Sequence, residues 1–545
     1  MSKITQYLNE HILGEVTSAE SVRKQFSTDG SILNITPEIV AHPRVTNDIR
    51  KIARFTWQLA EKGHILPMTV RGCGSDQTGA AIGKGIIVNT VAHLNKILYI
   101  NLKSKDQFVH VQPGVNLNTL SNTLSSHGMM LPTAPVSASY NTVGGALANN
   151  ISGPMSGQYG QIGDWVKRLE VVLANGDLIE ATRISHRELD KKKGLQTFEG
   201  EIYRKIDGII DDNQQVIKDQ IDSNGRDNTG YSGIAKVKQR DGSFDLTPLM
   251  VGSQGTLGII SEAVLKTDFS NDAESVVVAV FGDDKAARDA ASIIAKEKPA
   301  MLEIIDGRLF DMAKAQGKKY PFGDKDGDSI GAVLYISYND FSNGARHRHV
   351  KHTLKKLSKL SANVLTSDDH QIEQLYAIRE VSSTVILPEA KEESMPPLLD
   401  GASIPAERME EFLTSLDEFA SKNHVTLPTH IEILSGVIHT RPVLQLHHVS
   451  DKQKTFKLIN DYMELVARHG GSYNVESGEG RLKATASYAQ LSTEVQEMYN
   501  EIRLAFDPYG TLNPGVKQSS DLKTLVSQLN PDYTMGEFAK YSPLK

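Results

Sequence analysis

The stretch RGCGSDQTG, residues 71–79, directly follows the strand-like run ILPMTV and is the first indication of a ligand-binding fold. Gly72, Gly74 and Gly79 can adopt positive φ and allow a close approach of the backbone to a ligand. Successive backbone N–H groups in such a turn form a concavity that suits a pyrophosphate. The spacing is not the dinucleotide-binding Rossmann fingerprint, because Gln77 occupies the third glycine position. Taken alone, the stretch is best interpreted as a tight surface turn.

A second stretch strengthens the ligand-binding interpretation. Residues 132–160, PTAPVSASYNTVGGALANNISGPMSGQYG, are poor in charge and rich in Gly, Asn and Ser. Long irregular segments inside compact domains tend to be functional or disordered. The apolar residues in this one argue against a solvated linker. The composition favours a backbone that wraps around a flat ligand with polar edges.

Composition excludes several classes of function. The chain has 545 residues, a formal net charge of −7 and one cysteine, Cys73. The acidic balance argues against nucleic-acid binding. A single cysteine excludes an internal disulfide, a thiolate-bound iron–sulfur cluster and a tetracysteine zinc site, so a metal would be held by His, Asp or Glu. The polar N-terminal stretch and the absence of an apolar run of about 20 residues lead us to expect a cytoplasmic protein.

Local patterns predict an α+β protein of two or three domains. Residues 46–63 repeat apolar side chains at helical spacing and end at Gly63, a plausible C-cap. Asn175-Gly176 between two strand-like runs predicts a hairpin. From about residue 271 the sequence pattern changes, and predicted strands alternate with amphipathic helices. This pattern indicates a separate α+β domain.

Four blocks, taken together, resemble a known family. They are RGCGSDQTG, TVGGALANNISGP followed by QYG and VKRLEVVLANGDLIE, then VGSQGTLGIISEAVLK, and FDPYGTLNPG near the end. In this order they resemble the flavin-dependent oxidoreductases of the vanillyl-alcohol oxidase superfamily, in the branch of D-lactate dehydrogenase and the glycolate oxidase flavin subunit. The resemblance implies an N-terminal helical arm (1–34), a two-lobed PCMH-type FAD-binding domain (35–270), an α+β substrate or cap domain with an antiparallel sheet (271–504), and a C-terminal segment (505–545) that returns to the FAD domain.

The same resemblance implies a set of FAD-binding residues. The pyrophosphate residues are Arg71, Gly72, Cys73, Gly74, Ser75 and Asp76, and those around the flavin and ribityl chain are Pro135, Thr142, Gly144, Gly145, Asn149 and Gly153. Gly258, Ile259 and Ile260 are placed on the adenine side, and Asn513 returns from the C-terminus. No histidine lies between residues 65 and 92 to tether the flavin, and Cys73 fits a small packed side chain better than a flavin thioether. Non-covalent FAD is expected.

A metal site is also implied. HIEILSGVIHTRP (430–442) resembles the family's histidine block, and SGEGRLK (477–483) resembles its Ser-Gly-Glu-His-Gly block. The carried-over ligands are His430, His439 and Glu479, a set that suits zinc, manganese or iron(II). The chain departs from the pattern, because the histidines are two residues further apart than usual and Gly480 replaces the histidine often assigned as general base. Glu432, which alternates with His430, is slightly favoured over no replacement base.

For the substrate carboxylate, the resemblance of LYAIREVSSTV to the family's Ile-Arg-Glu block implies Arg379, with Ser383 one helical turn later. Arg441, which alternates with His439, is a second candidate. A planar guanidinium suits this role because it pairs bidentately with carboxylates. Without the family match, a surface Arg379 paired with Glu373 or Glu380 would be preferred.

The implied activity is the FAD-dependent oxidation of a D-2-hydroxy acid to the 2-oxo acid, by hydride transfer to flavin N5. D-lactate is the first choice of substrate, and glycolate and D-2-hydroxyglutarate follow. The expected electron acceptor is a quinone, a cytochrome or a separate iron–sulfur protein, with peripheral membrane association as an option. The alternatives are an alkyl transferase of the ether-lipid synthase type and a non-catalytic flavoprotein subunit.

Overall fold

The protein is described here by a computed structural model. The described residues are 2–103, 105–222, 225–271, 273–322, 330–360, 363–368, 370–384, 393–446, 448–530 and 533. The strands up to residue 270 are β1 (Glu15–Thr17), β2 (Ile39–His42), β3 (Met68–Arg71), β4 (Ile86–Asn89), β5 (Ile97–Asn101), β6 (Phe108–Val111), β7 (Met129–Met130), β8 (Val166–Val172), β9 (Leu178–Ile184), β10 (Phe244–Asp245), β11 (Ile259–Lys266) and β12 (Asp268–Phe269). The helices of this part are α1 (Ser2–His11), α2 (Glu20–Gln25), α3 (Thr46–Glu61), α4 (Leu117–Ser125), α5 (Val143–Asn149), α6 (Ser156–Tyr159), α7 (His186–Lys193), α8 (Phe198–Asp212), α9 (Gln214–Val216) and α10 (Thr247–Met250).

The first lobe is built on a four-stranded sheet of order β1-β2-β4-β3. Strands β2, β4 and β3 are parallel, and β1 adds an antiparallel edge. Helix α3 covers this sheet with its apolar stripe, and Gly63 after it has φ +81°, as the sequence predicts. The N-terminal arm belongs to the same lobe, because Leu8 and Val16 are buried in its core.

The second lobe is a six-stranded sheet of order β10-β9-β8-β11-β6-β5. The predicted hairpin is present, with Val172 paired to Leu178 and Gly176 at φ +83°. A small sheet of β7 and β12 lies beside it. Helices α8 and α19 (Thr493–Phe506) pack together against this lobe, so its core contains residues from both ends of the chain.

The remaining elements form the second domain and the C-terminal segment. The strands are β13 (Ser275–Phe281), β14 (Met301–Asp306), β15 (Ala332–Tyr338), β16 (Asn363–Thr366), β17 (Ala402–Ser403), β18 (Thr429–Glu432) and β19 (Val437–Thr440). The helices are α11 (Asp284–Ile294), α12 (Gly307–Ala315), α13 (Asn343–Leu357), α14 (Ile372–Arg379), α15 (Val381–Thr384), α16 (Met409–Asn423), α17 (Val449–Arg468), α18 (Ala484–Tyr488), α19 and α20 (Leu522–Ser527).

A seven-stranded antiparallel sheet of order β16-β13-β15-β14-β18-β19-β17 forms the second domain. Its two faces are both buried, because alternate residues of β13 enter different cores: Val277 packs with one and Val278 with the other. In β14, Ile304 belongs to the first face and Ile305 to the second. This alternation decides which side chains of β14, β18 and β19 share a face.

The chain returns to the N-terminal half of the protein before residue 505. The family resemblance places the start of this C-terminal segment at residue 505. Tyr488, Val495 and Tyr499 are already buried in the core of the second lobe. Helix α19 packs on α8 with its apolar face, so the chain re-enters the second lobe through α18 and α19. No helix in the described part of the chain is long and apolar enough to span a membrane.

Candidate active site at the domain interface

The glycine-rich turn is held in shape by Asp76. Its Oδ2 accepts hydrogen bonds from the backbone N–H groups of Thr78 (2.9 Å) and Ala80 (2.8 Å). Gly74 and Gly79 both have φ +79°, a conformation that other residues rarely adopt. The carboxylate therefore acts within the turn, and two of its three glycines, Gly74 and Gly79, adopt the positive φ considered in the sequence analysis.

Arg71 points into the protein rather than out of the turn. Its Nη1 donates to the backbone carbonyl oxygens of Thr28 (2.7 Å) and Ala81 (3.3 Å). A Cβ on Gly74 would lie 2.2 Å from Nη2 of Arg71. Arg71 thus supports the turn from behind, while Cys73 is exposed.

The turn and the segment 132–160 are in direct contact. Ser75 donates to Oδ1 of Asn141 (2.6 Å), and Nδ2 of Asn149 donates to Asp76 (3.1 Å). A Cβ on Gly72 would lie 2.2 Å from Oγ1 of Thr142. These contacts bring two stretches that are 70 residues apart in sequence into one polar cradle.

Several features of this cradle fit FAD. Gly144 packs against Pro113, and Gly153 packs against the carbonyl of Ala134, so the backbone itself forms the wall. Thr133 Oγ1 and Tyr140 OH are buried without a hydrogen-bond partner, which is costly unless a ligand supplies one. Pro135 caps a 3₁₀-helix at residues 136–140, and Gly145 donates its N–H to Thr142.

The predicted adenine-side residues lie on the strand that joins the two lobes. Gly258 packs against Val171, and Ile259 is buried in the core of the first lobe. Ile260 is half-buried and packs on the second lobe. The side chain of Ile259 is thus occupied by packing, and Ile260 keeps part of its surface exposed.

Asn513 connects the C-terminal segment to the turn. It has φ +44°, and its Nδ2 donates to the backbone carbonyls of Ala80 and Gln254, each at 2.9 Å. Gln254, which sequence reasoning missed, in turn donates to Asn149 (2.8 Å) and accepts from Gly480 N–H (3.0 Å). The positive φ of Gln254 (+52°) marks a constrained position that has no signature in the sequence.

The two predicted histidines face each other across the β18–β19 hairpin. His430 is directly paired with His439, and the ring centroids are 5.9 Å apart. Nε2 of His430 lies 3.0 Å from Oε2 of Glu303, and Nδ1 lies 2.7 Å from Oγ of Ser382. Both nitrogens of this imidazole are therefore engaged by protein groups.

Arg379 reaches this cluster from the end of α14. Its Nε donates to both carboxylate oxygens of Glu303, at 3.0 and 2.8 Å. The side chains are 10% and 1% exposed, so this is a buried ion pair rather than the surface pair with Glu373 or Glu380. Burial alone would raise the pKa of Glu303, but the Arg379 charge and the His430 hydrogen bond outweigh it and hold that pKa at about 2.

His439 is oriented by Asp400. Nδ1 of His439 lies 2.8 Å from Asp400 Oδ1, while Arg441 donates through Nε (2.9 Å) and Nη2 (2.8 Å) to Oδ2. Burial would lower the pKa of His439, but Asp400 and Glu432 raise it well above its usual value. Arg441 thus holds the Asp400 carboxylate, which in turn orients the His439 imidazole. The other ring nitrogen of His439, Nε2, lies 3.5 Å from Oε1 of Glu432.

Glu479 does not join these histidines. Its Oε2 accepts from Nζ of Lys517 and its Oε1 accepts from Gly230 N–H, both at 2.8 Å, and the ion pair is fully buried. The glutamate that lies at the cluster is Glu476, which directly precedes this block and lies three residues before Glu479. The sequence predicted Glu479 as a metal ligand, and in this structure its carboxylate pairs with Lys517 instead of facing the hairpin.

Glu476 accepts a hydrogen bond from the Ser152 hydroxyl of the FAD domain. Burial and the neighbouring Glu432 raise its pKa to about 7, although His439 and Arg226 oppose the shift. The residue that follows Glu476 is Ser477, and the residue that follows Glu479 is Gly480. Either alignment leaves the block without the histidine that the family pattern would place there.

The predicted metal triad is not assembled. Among the described residues, no three His, Cys, Asp or Glu side chains are placed to hold a metal ion. His430 is engaged on both nitrogens, and Glu479 is neutralised by Lys517. The residues present therefore do not fit a His430–His439–Glu479 metal site, and no chemical step is assigned to a metal below.

Sequence patterns gave little or no indication of the other residues in this cluster. Glu303 interrupts the apolar strand MLEIID, so a buried charge could have been suspected there. Asp400 gives no comparable sign. Lys483 is buried and donates to the Asp400 carbonyl (2.9 Å), and burial lowers the pKa of its amine to about 8. Ser383 lies in α15, but its side chain is outside the described part of the structure.

The cluster lies where the two domains touch. Ser156 of the FAD domain is 3.5 Å from Glu432 Oε2, and Gly157 packs so closely on Leu434 that a Cβ would lie 2.8 Å from it. The hairpin is therefore held against the cofactor-binding segment 132–160.

Two family profiles match the chain. Residues 37–182 match an FAD-binding domain, and residues 270–516 match the C-terminal domain of FAD-linked oxidases. A D-2-hydroxyglutarate dehydrogenase of Pantoea ananatis is 25% identical over 98% of this chain but only 53% of its own length. This chain thus spans about half the length of such relatives.

Other relatives match over most of their own length. A glycolate oxidase subunit of Bacillus subtilis is 25% identical over 90% of this chain and 91% of its own. For a D-lactate dehydrogenase of Archaeoglobus fulgidus the identity is 23%, over 88% and 90% of the two chains. Among solved structures, a 4-ethylphenol oxidase from Gulosibacter chungangensis superposes with a TM-score of 0.64 at 14% identity, covering 96% and 98% of the two chains. An alkyldihydroxyacetonephosphate synthase superposes with a TM-score of 0.61 at 16% identity, covering 94% and 86%. These structural likenesses show the fold alone.

Proposed function

Since the chain belongs to the FAD-linked oxidase family of the vanillyl-alcohol oxidase superfamily, we propose that it oxidises a D-2-hydroxy acid to the corresponding 2-oxo acid. When bound, FAD supplies the hydride acceptor for such a reaction. Three 2-hydroxy acids remain candidates: D-lactate, glycolate and D-2-hydroxyglutarate. The names of the relatives at 23–26% identity support the class of substrate and do not choose among its members.

One observation carries the proposal. The paired histidines and a buried arginine lie on the face of the hairpin that is pressed against the cofactor-binding segment. Strand register explains this, because Glu303 pairs with Glu432 and His430 pairs with His439, so these polar side chains share one face. The burial of these polar groups is offset by their hydrogen bonds and ion pairs, and clusters of buried ionisable groups with perturbed pKa values are typical of functional sites.

Each residue has a proposed task. Arg379 holds the carboxylate of the substrate through its terminal Nη groups, since Glu303 engages its Nε. Glu432 accepts the hydroxyl proton, and His439, held by Asp400 through Nδ1, presents Nε2 beside that carboxylate. Arg441 is a positioning residue, because both of its hydrogen bonds go to Asp400.

The proposal also covers the attachment of the cofactor, the metal content and the electron acceptor. FAD is proposed to bind without a covalent link. The Zn, Mn or Fe ion predicted from the sequence stays a prediction, tested by metal analysis of the purified protein. Electrons are proposed to leave to a quinone, a cytochrome or a separate iron–sulfur protein, with peripheral membrane association as part of that proposal.

The test is anaerobic bleaching of the bound flavin by a panel of D- and L-2-hydroxy acids. We expect reduction by D-enantiomers. Arg379→Lys should lower the rate constant for reduction divided by Kd roughly 10–100-fold, because lysine keeps the charge beside Glu303 but lacks the fork. The matched control is Arg408→Lys at an exposed position. If no 2-hydroxy acid bleaches the flavin, with or without added Zn²⁺ or Mn²⁺, the proposal is wrong.

A further inference from the structure

Arg226 carries a guanidinium group that is enclosed and largely without partners. Its Nε and Nη2 atoms are buried and have no hydrogen-bond partner. Nη1 donates to the Ser156 hydroxyl at 3.3 Å. A charged group that loses water without gaining partners is strongly destabilising, so such an arrangement indicates a ligand that supplies them.

The position of Arg226 is fixed by its neighbours. Two residues later, Asn228 donates through its backbone N–H to the carbonyl of Asn474 (2.9 Å) and through Nδ2 to the carbonyl of Val475 (3.0 Å). Residue 475 directly precedes Glu476, the carboxylate of the cluster. These bonds hold the Arg226 segment of the FAD domain against the block that follows α17 in the second domain.

Arg226 lies on one side of the histidine cluster and Arg379 on the other. Ser156 links Arg226 to Glu432, since its hydroxyl oxygen is 3.3 Å from Nη1 and 3.5 Å from Oε2. Glu432 is followed by His439, then His430, then Glu303, which pairs with Arg379. The row of contacts therefore begins and ends with a guanidinium.

Neutralisation of nearby carboxylates does not account for Arg226. Its charge acts on Glu476, but among the described residues no carboxylate oxygen lies within 4.0 Å of its nitrogens, whereas Arg379 and Arg441 have carboxylates within 3 Å. Arg379 and Arg441 are thus paired within the protein, and Arg226 is the guanidinium of the cluster that keeps two enclosed donors. A guanidinium with adjacent Nε and Nη donors suits a carboxylate bidentately.

We propose that Arg226 binds the second carboxylate of a dicarboxylic 2-hydroxy acid, whose first carboxylate is held at Arg379. This rests on the proposed function and specifies its substrate class. A monocarboxylic acid of the same length places a methyl group at Arg226 and leaves the donors unpaired. Specificity for the diacid then comes chiefly from the cost of that unpaired charge, which is the larger source of discrimination in enzyme sites.

The experiment compares diacids with monoacids of equal chain length in anaerobic flavin reduction. The pairs are D-malate with D-2-hydroxybutyrate, D-2-hydroxyglutarate with D-2-hydroxyvalerate, and D-2-hydroxyadipate with D-2-hydroxycaproate. We expect at least one pair to favour the diacid tenfold or more in the rate constant for reduction divided by Kd. Arg226→Gln should lower that value about 100-fold for the preferred diacid and less than threefold for its monoacid.

Two further variants keep the test decisive. Arg226→Lys, which retains the charge, should retain part of the diacid preference, and Arg240→Gln, at an exposed position of the same segment, should change nothing. Equal losses on both acids of a pair, or a wild-type protein that favours no diacid, would overturn the assignment while leaving hydroxy-acid oxidation intact. Failure of every acid to reduce the flavin would instead refute the proposed function itself.

Discussion

The buried pair of Glu479 and Lys517 provides a sharp test of which glutamate serves the active site. Both side chains are fully buried, and the glutamate also accepts from Gly230 N–H. Glu479→Gln preserves the shape and that backbone hydrogen bond but leaves the ammonium group of Lys517 without a counter-charge. Removing one partner of a buried pair costs about 3–5 kcal/mol of the free energy of unfolding. For a chain of 545 residues, with an unfolding entropy of about 2.1 cal/mol/K per residue, that predicts a fall in Tm of roughly 3–5 °C.

The assay measures thermal unfolding, FAD content and flavin reduction on the same samples. Glu479→Gln should unfold early yet keep the reduction rate within about threefold at a temperature where it is folded. Glu476→Gln should show the reverse, with near-normal Tm and a reduction rate lowered at least roughly tenfold, because the Glu476 carboxylate acts electrostatically on Glu432 and His439. Glu497→Gln, an exposed change on α19, serves as the matched control and should alter stability by less than about 0.5 kcal/mol.

A double variant separates charge from packing. Replacing both members of the pair, Glu479→Met with Lys517→Met, should recover most of the lost stability, because no buried charge then remains unpaired. The reasoning is refuted if Glu479→Gln unfolds at the wild-type temperature and yet loses flavin reduction. That result would return Glu479 to the active site, where the sequence pattern placed it.

Two other changes test the cofactor cradle and the imidazole support. Gly72→Ala should abolish FAD retention after gel filtration, because the new Cβ would lie 2.2 Å from Oγ1 of Thr142, whereas Gly208→Ala, in open space on α8, should keep FAD and raise stability by about 0.5–1 kcal/mol. Asp400→Asn should lower the rate of flavin reduction about 10–100-fold with FAD content unchanged, because His439 loses the carboxylate that orients it; an unchanged reduction rate would exclude that role.

Local sequence patterns predicted the secondary structure well where the cause is local. Helix α3 ends beside Gly63 and the β8–β9 hairpin turns at Gly176, since both positions need a positive φ that glycine adopts at little cost. The ordered blocks likewise predicted the cofactor-binding fold, and the matched FAD-binding profile confirms it. The return of the chain to the FAD domain was predicted too late, because α19 shows its apolar face but not which core will bury it.

Some residues of the candidate site could likewise be predicted from local sequence patterns, and others could not. Arg379 and the two histidines could be named from motifs, because a strand places alternate residues on one face and the register of β18 and β19 then brings the imidazoles together. Their partners Glu303 and Asp400 could not, because each is far away in sequence and is recruited by tertiary packing. Nothing in the spacing of the histidines shows that a protein carboxylate engages each of them.

The sequence by itself determined the family, the FAD-binding domain and the types of side chain available for chemistry, since these depend on glycine conformation, strand alternation and the order of motifs. Only the tertiary structure decided which glutamate faces the histidines. Glu476 and Glu479 are three residues apart, and the choice depends on whether a buried lysine from residue 517 claims one of them. That contact joins distant parts of the chain, and a buried charge is placed by its partner rather than by its neighbours in sequence.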